Sequence, residues 1–157
     1  MHKLAPRLSV AVLLFAVSSC ASTGPVYRTD GPVEAEGVTI TLAGQRCDFD
    51  DANEPETASQ GGFLELGLVL QVKNGTAQPI TFDPTAIRLV LGQNTEQPST
   101  AGPSKTLAPG AVETVTVRFE SRGPWNCQKP MILALARVVQ IGARPIELRR
   151  VSFVAKG

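Results

Sequence analysis

The densest group of side chains that could do chemistry in this 157-residue chain is acidic. The run CDFDDANEPE, residues 47–56, carries five carboxylates, and loops rich in oxygen ligands bind calcium. Asp48, Asp50 and Asp51 are therefore candidate metal ligands. Counted from Asp48, however, the run departs from the EF-hand pattern at its fifth, sixth and twelfth positions, which are Ala52, Asn53 and Ser59. The sequence predicts a solvated acidic loop, with a weak calcium site as the alternative and no resident cofactor.

A second reactive residue, Cys20, ends a segment that is organised like an export signal. Lys3 and Arg7 form a positive start, and the apolar run over residues 9–17 is about half as long as a membrane-spanning helix needs to be. The run ends Val17-Ser18-Ser19-Cys20, which resembles the lipobox of bacterial lipoproteins. The alternative is a conventional secreted protein in which this cysteine is incidental.

The lipobox resemblance implies that residues 1–19 are a signal peptide and that Cys20 becomes the lipidated first residue of the mature chain. Acyl chains such as palmitate would then hold the protein to the membrane, since two or more chains give stable anchoring. Ala21, rather than an aspartate, follows the cysteine. By the same resemblance this implies the outer membrane, with the protein facing the periplasm of the cell envelope.

Removal of residues 1–19 changes which reactions the chain could perform. The mature chain would carry 13 basic residues, the 15 of the whole chain less Lys3 and Arg7, against 14 acidic ones. The single histidine, His2, is removed as well, which excludes nucleophiles activated by histidine and histidine zinc motifs. The near-neutral charge and an aromatic content of 5% argue against nucleic acid as a partner. We therefore expect a protein that is not an enzyme; a histidine-free, carboxylate-based hydrolase is the catalytic alternative.

The other two cysteines, Cys47 and Cys127, form an even pair in a chain that we expect to be exported. Such pairs favour a disulfide in an oxidising compartment. The two residues are far apart in sequence and do not form a Cys-x-x-Cys motif, so a reactive or metal-binding pair is the less favoured alternative. The sequence predicts a structural disulfide.

The segment after Cys20 and the rest of the chain differ in pattern. Residues 20–36 are small, polar and interrupted by proline and glycine, which predicts a flexible linker. From residue 37 to residue 157 the hydrophobic period is mostly two, which is typical of β-strands. Five apolar residues alternate from Leu64 to Val72, which predicts a half-buried strand in the middle of a sheet. The folded domain is therefore predicted over residues 37–157.

Six other segments show strand patterns in addition to the strand predicted over residues 64–73. They are residues 38–42, 80–82, 87–91, 112–119, 131–141 and 146–154. Polar loops are predicted over residues 92–105 and 121–129. Residues 131–141 could instead be a helix, because Pro130 suits a first helical position and Gly142 suits a C-terminal cap. Their β-branched residues favour a strand that is apolar on both faces.

About seven short strands with polar turns predict an all-β domain, an antiparallel immunoglobulin-like β-sandwich. The pattern also resembles the telokin-like, immunoglobulin-like domains that are common in bacterial lipoproteins. The residues that carry the resemblance are Leu68, Leu70, Val72, Asn74, Thr76, Pro79, Ile80 and Phe82, followed by Leu107, Pro109, Gly110, Val115, Val117 and Phe119. These motifs specify strands and turns, and they do not indicate an active site.

Binding is the function that these observations favour. We expect a lipid-anchored accessory module that presents a surface to another envelope protein or to a polysaccharide, with strand addition at a sheet edge as the default mode. The candidate contacts are Trp125 and the apolar residues Met131, Leu133 and Leu135, since an apolar outer face needs covering. The alternative is an extracytoplasmic enzyme inhibitor that presents a rigid loop, either residues 92–105 or the loop around Trp125.

Overall fold

β-Strands make up most of the chain that the computed structural model describes, residues 28–29, 31–50 and 62–155. One short 3-10 helix, Pro84–Ala86, accompanies them. No helix within these ranges is long and apolar enough to cross a membrane. In chain order the strands are β1 (Arg28–Thr29), β2 (Val33–Ala35), β3 (Val38–Asp50), β4 (Gly62–Asn74), β5 (Ile80–Phe82), β6 (Arg88–Leu91), β7 (Asn94–Glu96), β8 (Thr100–Ala101), β9 (Lys105–Leu107), β10 (Val112–Gly123), β11 (Pro130–Ala134), β12 (Val139–Ile141), β13 (Arg144–Pro145) and β14 (Val151–Val154).

The long sheet has the order β2-β3-β4-β10-β8, and its three central strands are 12 or 13 residues long. In β4 the even-numbered residues from Gly62 to Asn74 are buried, while the residues between them are half-buried or exposed. This confirms the strand predicted over residues 64–73 and its place in the middle of a sheet. β3 and β10 run antiparallel to β4 on either side, so the side chains of the three strands form cross-strand rows.

Two shorter sheets form the second layer. Their orders are β1-β14-β11-β6-β7 and β13-β12-β5-β9, and short connections join them between β5 and β6 and between β11 and β12. One hydrophobic core contains the fully buried rings of Phe82, Phe119 and Phe153. Since each ring comes from a different sheet, all three sheets close on the same core, and the predicted antiparallel β-sandwich is confirmed. The strands outnumber the seven expected because many have only two or three residues.

An irregularity in β3 decides which of its residues face the core. The register with β4 shifts between Leu42 and Gly44, so Ala43 is an extra residue, a β-bulge. Residues 38 and 40 are buried before the bulge, whereas after it residues 46, 48 and 50 are exposed and the odd-numbered residues between them are half-buried. The strand predicted to end at residue 42 therefore continues with its faces exchanged. The exchange turns Cys47 toward the core.

The folded domain begins earlier than predicted. β1 pairs with β14 and β2 pairs with β3, so strands occupy part of the predicted linker, residues 20–36. Val33 in β2 is fully buried, which shows that this part of the chain belongs to the sandwich. The predicted domain boundary at residue 37 is therefore wrong. Residues 1–27, which contain the predicted signal peptide and Cys20, lie outside the described residues.

Both predicted loops and two predicted strands differ from the structure. Residues 92–105 contain β7, β8 and the first residue of β9, and β10 extends into the loop predicted over residues 121–129. Residues 131–141 are strand rather than helix, but they belong to two strands, β11 and β12, in different sheets. Arg137 lies between these strands with φ of 62°, a left-handed conformation that turns the chain. The last strand is also shorter than predicted, since β14 begins only at Val151.

Turns gather where β3 begins and β4 ends. Asn74 is fully buried there, and its Nδ2 donates hydrogen bonds to the carbonyl oxygens of Gln78 at 2.9 Å and Leu107 at 3.0 Å. Its Oδ1 accepts hydrogen bonds from the N–H of Thr76 at 2.9 Å and from its hydroxyl at 2.8 Å. Gly110 has φ of 78°, as the turn predicted at Pro109-Gly110 requires. One buried amide thus ties the turn after β4 to the end of β9.

Candidate functional site

The disulfide holds the opposite end of the sandwich together. The Sγ atoms of Cys47 and Cys127 are 2.12 Å apart and their Cα atoms are 5.8 Å apart, which confirms the predicted pairing. Cys47 lies in β3, and Cys127 lies in the connection between β10 and β11. The bond therefore fixes this connection, residues 124–129, to the long sheet.

Trp125 lies in that connection and packs against the edge of the core. Its ring is so close to the turn after β6 that a Cβ added to Gly92 would be 3.0 Å from the ring atom Cζ3. The Nζ of Lys129 lies 5.4 Å from the centre of the ring and donates a hydrogen bond to the carbonyl oxygen of Pro124 at 2.5 Å. The surrounding backbone and one cation thus set the position of the tryptophan.

A cavity of about 270 Å³, which we call the Trp125 cavity, opens beside this ring. Gly92, Asn94 and Ser121 line it together with Trp125. The Trp125 Nε1 is buried, and it has no hydrogen-bond acceptor among the described residues. Ser121, by contrast, donates to Oε1 of Glu96 at 2.9 Å. Buried polar groups are nearly always hydrogen-bonded, to protein or to ordered water, so the acceptor of this N–H lies outside the described residues.

Three of the predicted partner contacts are buried, and that prediction is wrong. Met131, Leu133 and Leu135 are at most 1% exposed. The reason is that β11 lies between β14 and β6 in the second layer, and its odd-numbered side chains point into the core. Leu135, directly after the strand, is buried in the same core. The other face of the strand carries Ile132 and Ala134, which are half-buried. Trp125 is therefore the predicted contact residue that retains an accessible surface.

The outer face of the long sheet carries two adjacent rows of charged residues. The register of β4 with β3 and β10 places one carboxylate of each strand side by side. In the next row on the same face, two residues further along each strand, a glycine of β4 lies between an arginine of β3 and an arginine of β10. The acidic row is Asp48, Glu65 and Glu120, and the basic row is Arg46, Gly67 and Arg118.

A broad depression of about 560 Å³ lies over these rows, because Gly44 and Gly67 have no side chains there. The side chains of Arg46 and Asp48 at its edge are 83% and 55% exposed, and the Arg46 Nε donates to Oδ2 of Asp48 at 2.8 Å. Neighbouring rows on one face are about 7 Å apart along the strands. The surface can therefore contact a molecule that offers positive and negative groups at this spacing.

The predicted acidic loop is only partly a loop. Asp48 and Asp50 lie in β3 and point to solvent, whereas Asp51 lies outside the described residues. Strand pairing with β4 therefore corrects the loop prediction for residues 47–50. In the ranges that the structure describes, no three histidine, cysteine, aspartate or glutamate side chains are arranged to hold a metal ion.

At the end of the sandwich near Asn74, one ion pair shifts the pKa of both of its members. Arg144 donates from Nη1 to Oε1 of Glu36 at 3.0 Å and from Nη2 to Oε2 at 2.6 Å. The hydrogen bond from Arg144, followed by the attraction of its charge, holds the pKa of Glu36 below its ordinary value. The same contact raises the pKa of Arg144. The pair joins the turn before β3 to β13.

The two charged rows were not predicted from the sequence. Arg46, Gly67 and Arg118 are separated by tens of residues, and only the register of three strands brings them together. A signal was present at Gly67, which interrupts the outer face of an otherwise regular strand. Glycine in a strand interior often marks a close approach of another molecule or backbone.

Comparison with known proteins supports the fold alone. No protein-family model and no curated protein matches the chain. A crystal structure of a protein from Listeria monocytogenes EGD-e, described as functionally unknown, is similar in fold with a TM-score of 0.57. The two chains are 11% identical, and the similarity covers 85% of this chain and 89% of the other.

Proposed function

We propose that the chain is a lipid-anchored, non-catalytic module of the bacterial cell envelope that binds another envelope macromolecule at the Trp125 cavity. The lipobox-like sequence at Cys20 supports the anchor, and the disulfide between Cys47 and Cys127 supports export to an oxidising compartment. In this proposal the linker holds the sandwich close to the membrane, and the cavity presents the contact surface. The resemblance at Cys20 and Ala21 implies that this is the outer membrane.

Trp125 carries the binding site: it lines a cavity, and its Nε1 is buried with no acceptor among the described residues. An unsatisfied buried donor costs about 1–3 kcal/mol, which a partner regains when it supplies an acceptor oxygen. Tryptophan is also enriched among the residues that dominate binding energies. A carbonyl or hydroxyl oxygen of the partner would therefore approach the indole edge, while an apolar group fills the cavity.

The disulfide gives this site its rigidity. Because Cys127 is bonded to β3, residues 124–129 need little ordering when a partner binds. Preorganised loops gain affinity by avoiding that loss of entropy. The turn at Gly92 adds a second fixed wall, since a side chain there would press on the ring. An enzyme inhibitor would also need a rigid loop of this kind. If the partner captured at this site is an enzyme, the alternative that the chain is an enzyme inhibitor is favoured.

The binding site is tested by photo-crosslinking in native membranes. A photoreactive residue replaces Gln93, which lines the cavity and is exposed, in chains with and without Trp125→Ala. The matched control carries the same group at exposed Gln78, at the other end of the sandwich. We expect a discrete crosslinked partner from position 93 that disappears with Trp125→Ala. Equal crosslinking from both positions, or no effect of Trp125→Ala, contradicts the proposed site.

The anchor is tested separately, because it can fail while the binding site stands. Cells labelled with palmitate should yield a labelled wild-type protein and an unlabelled Cys20→Ser variant. Cys47→Ser is the matched control, since it removes a cysteine that we assign to the disulfide, and it should retain the label. An intact mass that shows an unmodified Cys20 at the mature N-terminus contradicts the lipoprotein proposal.

A further inference from the structure

The charged outer face of the long sheet is complementary to itself. The acidic row and the basic row each contribute one residue from β3, one from β4 and one from β10. In both rows the residues contributed by β3 and β10 are charged. The residues contributed by β4, at the centre, are Glu65 in the acidic row and Gly67 in the basic row. A carboxylate at the centre of one row thus corresponds to an open space at the centre of the other.

We propose that two copies of the chain form a symmetric dimer through this face. The two-fold axis would lie parallel to the sheet and perpendicular to its strands, midway between the two rows. It would pass above Cys47, Leu66 and Phe119, whose side chains point to the opposite face. Rotation about this axis places each strand over its own copy and each acidic row over the partner's basic row. Such an interface is isologous, because every contact occurs twice.

The rotation matches the four charged positions of the two rows on β3 and β10 with positions of opposite sign. Arg46 faces Asp48 of the other copy, and Arg118 faces Glu120 of the other copy. The Glu65 carboxylate enters the depression over Gly67, between two arginines. Arg46 already donates its Nε to Asp48 of its own chain, and its two terminal nitrogens stay available for the second copy.

The neighbouring rows are matched as well. The row beyond the acidic row consists of Asp50, Phe63 and Arg122. The row beyond the basic row consists of Gly44, Val69 and Thr116. The same rotation places Phe63 over Val69, which are half-buried apolar residues of the central strand. It also places Arg122 opposite the hydroxyl of Thr116 and leaves space at Gly44 for Asp50. Apolar contacts thus flank the charged rows.

The packing geometry is one that sheets adopt. Two twisted sheets that pack face to face keep their strands within about 30° of each other, as this axis requires. The matched area covers three strands and four rows, roughly 10 Å by 20 Å. Stable interfaces are larger than this, so the dimer should be weak in solution and strengthened when both copies are held on one membrane.

A charge-swap experiment tests the dimer with the full chain in detergent micelles, by native mass spectrometry. The variant R46E/R118E makes both rows acidic, and D48R/E120R makes their outer positions basic. Each variant alone should self-associate at least about ten-fold more weakly than the wild type, because like charges then face each other. A one-to-one mixture of the two should form a heterodimer, since the rotation again opposes unlike charges at all four outer positions.

The control R137E/R150E changes the charge by the same amount at exposed positions away from this face. It should self-associate like the wild type and should not pair with D48R/E120R. Pairing of that control mixture would show general charge attraction and overturn the proposal. So would a wild-type chain whose association is unchanged between low and high salt, a measurement that depends on no variant folding correctly.

Discussion

The two ends of the long sheet are held by different means. At one end the buried Asn74 side chain makes four hydrogen bonds to nearby turns, and backbone bonds join Gly75 to Gly37 at 2.8 Å and Gly110 to Asn74 at 2.7 Å. At the other end a disulfide joins β3 to the connection after β10, near a cavity and an indole N–H that has no acceptor among the described residues.

This difference suggests that the two ends of the long sheet have different roles, one in stability and the other in recognition of a partner. At the Asn74 end the buried amide is satisfied by the chain's own turns. The disulfide end is held covalently, and it can therefore keep a cavity and an unsatisfied donor without coming apart. Functional sites are commonly places where local interactions are left incomplete and the surrounding structure compensates.

The largest effect should follow from removing the covalent connection. Cys47→Ala/Cys127→Ala should lower the free energy of unfolding by about 4–5 kcal/mol at most, because the bond closes a long loop in the unfolded chain. Urea unfolding measures this change, and reduction of the wild type provides the control. A loss below about 1 kcal/mol would contradict the idea that this end depends on the disulfide.

The Asn74 end should respond almost as strongly to a single amide. Asn74→Ala removes four side-chain hydrogen bonds and leaves the Leu107 carbonyl buried, so we expect a loss of about 3 kcal/mol in urea unfolding. Asn126→Ala is the matched change at the other end, where Oδ1 accepts one exposed hydrogen bond from the N–H of Gln128 at 3.1 Å. That variant should lose less than about 1 kcal/mol. Equal losses would remove the distinction between the two ends.

A smaller effect is expected when Trp125 is replaced by phenylalanine. Trp125→Phe loses some packing area but also removes a buried donor that has no acceptor among the described residues. The two changes oppose each other, so stability should stay within about 1 kcal/mol of the wild type. Thermal unfolding measures this, with Trp125→Ala as the variant that loses the packing as well. A large loss in Trp125→Phe would show that the N–H is satisfied in solution.

The smallest effect concerns the exposed ion pair of the Asn74 end. The pKa of Glu36 is lower in the folded chain than its ordinary value, so the folded state binds this proton less readily than the unfolded state does. The pair therefore stabilises the fold above the unfolded pKa, and this contribution disappears as the pH falls through the folded pKa. Unfolding curves of Glu36→Gln and the wild type should differ near neutral pH and converge in acid. A difference that persists in acid would assign the effect to something other than this ionisation.

Local patterns predicted the parts of the fold that local chemistry determines. Alternation from Leu64 to Val72 predicted the central strand, and Pro109-Gly110 predicted the turn between β9 and β10. The cysteine pair followed from counting residues in a chain expected to be exported. The structure of residues 131–141 was harder to predict, because Arg137 turns the chain between two sheets. No local sequence pattern predicts that an arginine adopts a left-handed backbone conformation.

The site was less predictable, since it depends on contacts between distant segments. The bulge at Ala43 became apparent only when β3 was paired with β4, and without it Cys47 would point to solvent. Met131 was predicted at the surface because the sequence does not show which face of its strand the second layer covers. Trp125 was predicted as a contact from its type and neighbours, but no local pattern shows that its N–H is buried or that its ring lies against Gly92.

The disulfide also decides how the chain would respond to mechanical tension. All residues from β4 to β10 lie inside the loop that Cys47 and Cys127 close, whereas β1, β2 and β11–β14 lie outside it. A pull applied to the two chain ends would pass from Cys47 to Cys127 through the sulfur atoms and bypass the loop. The edge strands β1 and β2 would detach first, and the segments inside the loop could not be stretched. A tethered protein built in this way would extend only by the segments before Cys47 and after Cys127, while the backbone between the two cysteines stayed closed.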